Sequence, residues 1–183
     1  MKTLVIGLGN PILGDDGVGW RVAEEVANRL PSPPSPLPAP FGGASPSGTM
    51  SRGEGRRGEG EVEVDCASLG GLSLMERLTG YERVILVDAI FTGTKPVGTV
   101  SQFILSDIPD LTAGHSASAH DTSLRNALNV GRSMGMPLPK YENVFIVSIE
   151  AEHVYDFSEH LSLPVEAAVS QAVKTVLELL YQK

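Results

Sequence analysis

Acidic side chains follow three separate apolar segments of this 183-residue chain, at the points where strands are expected to end. Asp16 comes shortly after the apolar run 3–8, Asp65 ends the alternating segment EVEVD, and Asp88 ends the apolar segment RVILVD. Any one of these acids is equally well interpreted as a helix cap. Because the carboxyl ends of parallel strands share one edge of a sheet, we expect all three carboxylates at that edge. Clustered carboxylates repel one another and need a cation or a shared proton, which points to metal binding or acid–base chemistry.

A histidine is expected close to the same edge. His120 follows the small-residue loop GHSASA and precedes a helix predicted over 121–134, for which Asp121 is the expected N-cap. Two carboxylates and one imidazole form a ligand set that suits a divalent transition metal. The sequence lacks an HExxH motif, and a lone histidine, such as His115, is usually structural or solvent-exposed.

The first loop has features of a nucleotide site without completing one. Gly7 and Gly9 follow the first strand, but Ile12 stands where GxGxxG needs its third glycine, and no GK[ST] motif is present. We therefore interpret Gly7, Gly9 and Asn10 as residues that shape the loop carrying Asp16. Asp15 is interpreted as a solvated or capping neighbour of Asp16.

Nucleophilic catalysis has less support in the sequence. The single cysteine, Cys66, excludes an internal disulfide and a CxxC pair, and it is interpreted as a small core residue. No GxSxG motif is present.

Composition favours a single domain with a real core, because 42% of the residues are hydrophobic. The formal net charge of −8 and the absence of a basic stripe argue against a nucleic-acid partner. No apolar run approaches the roughly 20 residues that cross a bilayer, so we predict a soluble, cytoplasmic protein without membrane contact. A macromolecular partner is expected to be another protein.

One segment departs from the rest of the chain. Residues 31–60 hold 7 of the 13 prolines and 7 of the 20 glycines. This composition predicts a flexible insertion within a single domain spanning 1–183. A tolerated surface loop is favoured over a partner-binding one.

Strands and helices alternate along the remaining sequence. Strands are predicted over 3–8, 61–66, 83–89, 98–105 and 143–150; helices are predicted over 17–30, around 72–78, over 121–134 and over 163–181. This order predicts an α/β fold, a three-layer α/β/α sandwich with a mostly parallel, twisted sheet of about five strands. The 98–105 strand is expected to be antiparallel or at an edge, because only a short turn precedes it.

Several blocks together resemble the hydrogenase maturation proteases. They are LVIGLGNPILGDDGVG, EVEVDCASLGG, YERVILVDAI, SAHDTSLRNAL and NVFIVSIEAEHV. The resemblance covers nearly the whole chain except 31–60. It implies an endopeptidase, aspartic-type or metal-assisted, that trims the C-terminal extension from the large-subunit precursor of a nickel–iron hydrogenase.

The resemblance also implies roles for individual residues. Asp16, Asp88 and His120 fall on the family's metal-contacting positions, and Asp65 on an acidic position that would place water or the scissile peptide. The catalytic candidates are thus Asp16, Asp65 and Asp88. Nickel is expected to arrive in the substrate, although another divalent metal can occupy the site in the isolated protein.

The chain departs from the family pattern at two places. The family often has Glu at the position of Asp16, and many members have a glycine-rich sequence where this chain has Asp65-Cys66-Ala67-Ser68.

Two alternatives stay open at this point. The first is a binding module that checks nickel occupancy without cleavage. The second is an esterase like the peptidyl-tRNA hydrolases, which share an IVGLGNP segment. Those enzymes have a histidine within about ten residues of the Asn10 position, whereas this chain has none before His115.

Overall fold

The computed structural model describes residues 1–31, 61–107 and 119–182, and only the backbone of 119–123. Nearly all of the proline- and glycine-rich segment 31–60, and also His115, lie outside the described residues. The strands are β1 Thr3–Leu8, β2 Val62–Ala67, β3 Arg83–Ile90, β4 Val100–Ile104 and β5 Val144–Glu150. The helices are α1 Val18–Arg29, α2 Gly71–Arg77, α3 Ala119–Ser133 and α4 Leu163–Tyr181.

The five strands form one sheet in the order β2-β1-β3-β5-β4. The first four of these are parallel, whereas β4 lies antiparallel to β5 at the sheet edge. The predicted α/β class and the antiparallel edge strand are both confirmed. β1 lies at the centre of the site region, with Gly7 paired to Cys66 of β2 on one side and to Val87 of β3 on the other.

Helices cover both faces of the sheet. Alternate residues of β1 and β3 point to opposite faces, since successive side chains of a strand do so. Leu4, Ile6 and Leu86 pack with α2 and α3, whereas Val5 and Ile85 pack with α1 and α4. The apolar stripe predicted for α1 is correct, because Val18, Val22 and Val26 are fully buried. None of the helices in the described ranges is long and apolar enough to cross a membrane.

Three element boundaries differ from the predictions. β2 continues two residues past Asp65, and β3 continues two residues past Asp88, because Ala67 and Ile90 still have strand partners. α3 begins at Ala119, so Asp121 lies inside its first turn and is not its N-cap. His120 accordingly lies within α3 and not before it.

Candidate active site

The loop after β1 holds Asp16 by main-chain contacts. The Asn10 N–H donates to Asp16 Oδ2 at 2.6 Å, and the Asp16 N–H donates to the carbonyl of Leu13 at 3.2 Å. Residues 14–17 form one turn of 3-10 helix that leads directly into α1. Asp16 thus lies at the amino end of α1, where the helix dipole favours negative charge.

Glycine is required where this loop folds back on itself. Gly9 has φ of +116°, and a Cβ there would lie 1.9 Å from the Asp16 carbonyl oxygen. At Gly7 a Cβ would lie 2.2 Å from the carbonyl oxygen of Gly19 in α1. These two glycines let the first turn of α1 pack directly against the end of β1.

Asp88 lies on the neighbouring strand at the same edge of the sheet. It follows Val87, which is paired with Gly7 of β1, and it is itself paired with Ser148 of β5. Because Asp16 is bonded to the segment that follows β1, the two acids approach the carboxyl edge from adjacent parallel strands.

His120 is placed by its backbone in the first turn of α3. The other end of that helix lies at the amino edge of the sheet: the Gly80 N–H, shortly before β3, donates to the Pro137 carbonyl at 2.8 Å. The amino end of α3, with His120, therefore points away from the amino edge. The His120 side chain lies outside what the structure describes. Among side chains that it does describe, no group of three or more His, Cys, Asp or Glu could hold a metal ion.

Asp65 belongs to a hydrogen-bonded charge network. Arg77 Nε donates to Asp65 Oδ2 at 2.7 Å, and Arg77 Nη2 donates to Glu63 at 2.6 Å. Tyr81 also donates to Glu63, at 2.6 Å. Burial alone raises the pKa of Glu63, but hydrogen bonds from Tyr81 and Arg77 outweigh it and hold that pKa below its ordinary value. The bonds to ionised Glu63 therefore stabilise the fold fully above the ordinary pKa of Glu63. This stabilisation is lost as the pH falls through the lowered pKa.

The structure places Asp65 apart from Asp88. Asp65 is paired with Ile6, two residues before the end of β1, and β2 and β3 lie on opposite sides of β1. Two strand spacings and two residues along the strand put the two Cα atoms on the order of 12 Å apart.

Asp15 is not a solvated neighbour of Asp16, as the sequence had suggested. Its side chain is fully buried and accepts hydrogen bonds from the N–H of Ser162 at 2.7 Å and from the Ser162 hydroxyl at 3.0 Å. The N–H groups of His153 and Glu152 add longer contacts of 3.3 and 3.5 Å. A buried carboxylate needs such donors to offset its lost hydration. Asp15 therefore joins the β1–α1 loop to the β5–α4 connection.

The thiol of Cys66 is not activated as a nucleophile. Burial, followed by the negative charges of Glu24 and Asp65, raises the pKa of Cys66 to about 11. Because the thiolate is the nucleophilic form, this raised pKa leaves very little nucleophile at neutral pH.

The segments that carry Asp16 and Asp88 thus reach the carboxyl edge next to each other, and carboxylates at such an edge can hold a hard or borderline cation or move a proton. A family model described as hydrogenase maturation protease matches residues 56–179. This chain belongs to that family. The protein is therefore an endopeptidase, and the comparison favours this over the peptidyl-tRNA hydrolase alternative.

Similar proteins extend the likeness across the amino-terminal block. The hydrogenase expression/formation protein HupD of Rhizobium leguminosarum bv. viciae is 24% identical over 179 residues, covering 98% of this chain and 74% of HupD. HoxM of Azotobacter vinelandii, similarly described, is 22% identical over 180 residues, covering 98% of this chain and 72% of HoxM.

Solved structures of maturation endopeptidases have the same fold. The hydrogenase maturating endopeptidase HybD from E. coli matches with a TM-score of 0.66 at 22% identity, covering 98% of this chain and 92% of that one. The NiFe hydrogenase maturation protease HybD from Thermococcus kodakarensis matches with a TM-score of 0.62 at 22% identity, covering 98% and 99%.

Proposed function

We propose that this protein removes the C-terminal extension of the nickel-loaded large-subunit precursor of a nickel–iron hydrogenase, and does so in the cytoplasm. The observation that carries the proposal is the family match over residues 56–179. The approach of Asp16 and Asp88 to one sheet edge supports it, because a carboxylate or a metal beside the scissile bond can activate the attacking water.

In this proposal nickel is part of the substrate. Asp16 and Asp88 supply carboxylate oxygens and His120 an imidazole nitrogen toward it, a donor set that suits a divalent transition metal. The enzyme thereby recognises a precursor whose metal has been inserted. It needs no tightly bound metal of its own.

The reaction is hydrolysis of one peptide bond. Water adds its oxygen to the carbonyl carbon, the C–N bond breaks, and the departing nitrogen gains a proton. Two routes use the groups at this edge: a carboxylate accepts the proton of the attacking water, or the metal polarises the water or the carbonyl. Asp65 lies too far from Asp88 to share the attacking water with it, so it is proposed to position the scissile peptide.

Intact-mass spectrometry tests the proposed function. We expect nickel-loaded precursor to lose its C-terminal segment on incubation with the protein, and nickel-free precursor to keep its mass. A module that only checks nickel would bind the loaded precursor and leave its mass unchanged, and that result would refute the peptidase proposal.

Replacing His120 by alanine is expected to lower cleavage at least about 10²-fold, because an essential side-chain contact to the reacting groups is lost. His115→Ala is the matched control, since it removes the same side chain five residues away. We expect His115→Ala to cleave normally in the same mass assay. If His120→Ala cleaves normally and His115→Ala does not, the metal-contacting histidine is His115 and not His120.

Asp65→Asn is expected to lower cleavage at least tenfold, beyond any effect on folding. Arg77→Met is the matched control, because it breaks the same ion pair and leaves the Asp65 carboxylate in place. In urea titration Asp65→Asn is expected to lose about 1 kcal/mol of unfolding free energy, because it weakens one part-exposed ion pair. Arg77→Met is expected to lose more, because it also removes the bonds to Glu63 and Tyr81. Equal losses of cleavage in the two variants would show that Asp65 acts only through the network.

A further inference from the structure

Four large apolar side chains are exposed at the carboxyl edge of the sheet. Phe91 follows β3, Tyr155 and Phe157 lie in the β5–α4 connection of residues 151–162, and Leu163 begins α4. Their exposed fractions are 64%, 86%, 86% and 81%, in that order. We name these four residues the apolar rim. All four lie on segments that follow the carboxyl ends of the adjacent strands β3 and β5, and several exposed aromatic side chains at one edge are typical of protein interaction sites.

The loop that carries Phe91 is fixed by a buried acid. Glu150, at the end of β5, is 3% exposed. Its Oε1 accepts hydrogen bonds from the N–H groups of Thr92 at 2.7 Å and Gly93 at 2.9 Å, and the Thr92 hydroxyl donates to the same carboxylate. Phe91 therefore precedes two residues that are held by one carboxylate, and it projects from a defined turn.

The β5–α4 connection is fixed in a similar way on both sides of its two aromatic residues. Before them, the Asp15 N–H donates to the His153 carbonyl at 2.9 Å. After them, the Ser158 N–H donates to Ile12 O at 3.1 Å, and Gly14 donates back to Ser158 O at 2.8 Å. The exposure of Tyr155 and Phe157 is thus a property of a bonded loop.

The apolar rim lies on segments next to those that carry the proposed active site. Phe91 is three residues from Asp88, and Tyr155 is two residues from His153, which is bonded to Asp15, the neighbour of Asp16. At about 3.5 Å per residue, both aromatic residues lie within about 10 Å of those acidic segments along the backbone. A folded protein whose tail enters the site at this edge can therefore reach the rim.

The charged residues around the apolar rim indicate what kind of partner surface would cover it. The connection of residues 151–162 contains the exposed acids Glu152, Asp156 and Glu159 and no lysine or arginine, although Asp156 is paired with the exposed His153. The whole chain carries a net charge of −8. A complementary partner surface is apolar at its centre and bordered by lysine and arginine.

We propose that the apolar rim is the docking surface for the folded body of the substrate precursor, which presents an apolar patch bordered by basic side chains. This inference rests on the proposed function and adds a contact remote from the scissile bond. Aromatic side chains bury about 150–250 Å² each, so the three rim aromatics can supply more than half of the about 800 Å² per partner in a standard interface.

The test compares cleavage kinetics of nickel-loaded precursor by wild type, by the double variant Tyr155→Ser/Phe157→Ser, and by Met134→Ser/Tyr181→Ser. The last is the matched control, because Met134, just past the end of α3, and Tyr181, at the end of α4, are 74% and 70% exposed and lie away from the rim. We expect the rim variant to raise KM at least about tenfold with kcat within about twofold. The control is expected to keep both constants, and all three proteins to keep the same melting temperature.

The outcomes separate the two proposals. Wild type that leaves the nickel-loaded precursor intact would refute the proposed function. Wild type that cleaves, with a rim variant whose KM is unchanged or is raised no more than in the control, would refute the docking surface alone. Light scattering gives a further outcome: a wild-type dimer that the rim variant abolishes, with KM unchanged, would assign the rim to a second copy of this chain.

Discussion

Asp16→Asn and Asp88→Asn are each expected to lower cleavage of nickel-loaded precursor by about 10²–10⁴-fold, the range that a positioned acid–base group contributes. Asparagine keeps the size of the side chain, and its amide oxygen can still accept the bond that Asn10 now donates to Asp16. A loss of cleavage in these variants is therefore caused by the missing negative charge. Quantitative mass spectrometry of the precursor measures it.

The controls separate this loss from damage to the fold. Asp107→Asn makes the same change at an exposed position after β4, at the opposite edge of the sheet, and we expect it to cleave like wild type. Asp16→Glu retains the carboxylate and should cleave faster than Asp16→Asn. Activity of Asp16→Asn within about threefold of wild type would remove Asp16 from the active site.

Asp15→Ala is expected to lower the free energy of unfolding by about 3 kcal/mol or more. The change removes the fully buried carboxylate that accepts from both the N–H and the hydroxyl of the half-buried Ser162, and hydrogen bonds to charged groups contribute about 1.5–3 kcal/mol each. For a chain of this length, that loss lowers the melting temperature by roughly 6–12 °C.

Differential scanning calorimetry with Asp107→Asn as the exposed control measures this effect. Asp107→Asn should melt within about 1 °C of wild type, because surface changes seldom alter stability by more than about 0.5 kcal/mol. An Asp15→Ala protein that melts with the control would mean that the buried carboxylate does not hold the β5–α4 connection.

The fold was predictable because its signals are local and periodic. The apolar stripe of α4 is one example, since Val165, Ala172 and Val176 are all fully buried as their spacing predicts. The antiparallel edge strand β4 was predictable from the short turn before it. The boundaries were less predictable, because β2 and β3 extend as far as their neighbours offer partners: Leu8 to Ala67 and Glu150 to Ile90.

The site was predictable only in part, for a different reason. The sequence indicated acids at strand ends, and Asp16 and Asp88 do approach the same edge. It gave no means to tell Asp15 from Asp16, because adjacent identical side chains carry the same local signal. Their difference depends on Ser162, which lies 147 positions away from Asp15 and meets it only after the sheet has formed.

The most direct test of the proposed site is a crystal structure of the protein soaked with Ni²⁺. We expect one ion with oxygen atoms of Asp16 and Asp88 and an imidazole nitrogen of His120 at roughly 2.0–2.3 Å. An ion bound by Asp16 and Asp88 with His115 in place of His120, or an ion bound without either acid, would contradict the assignment.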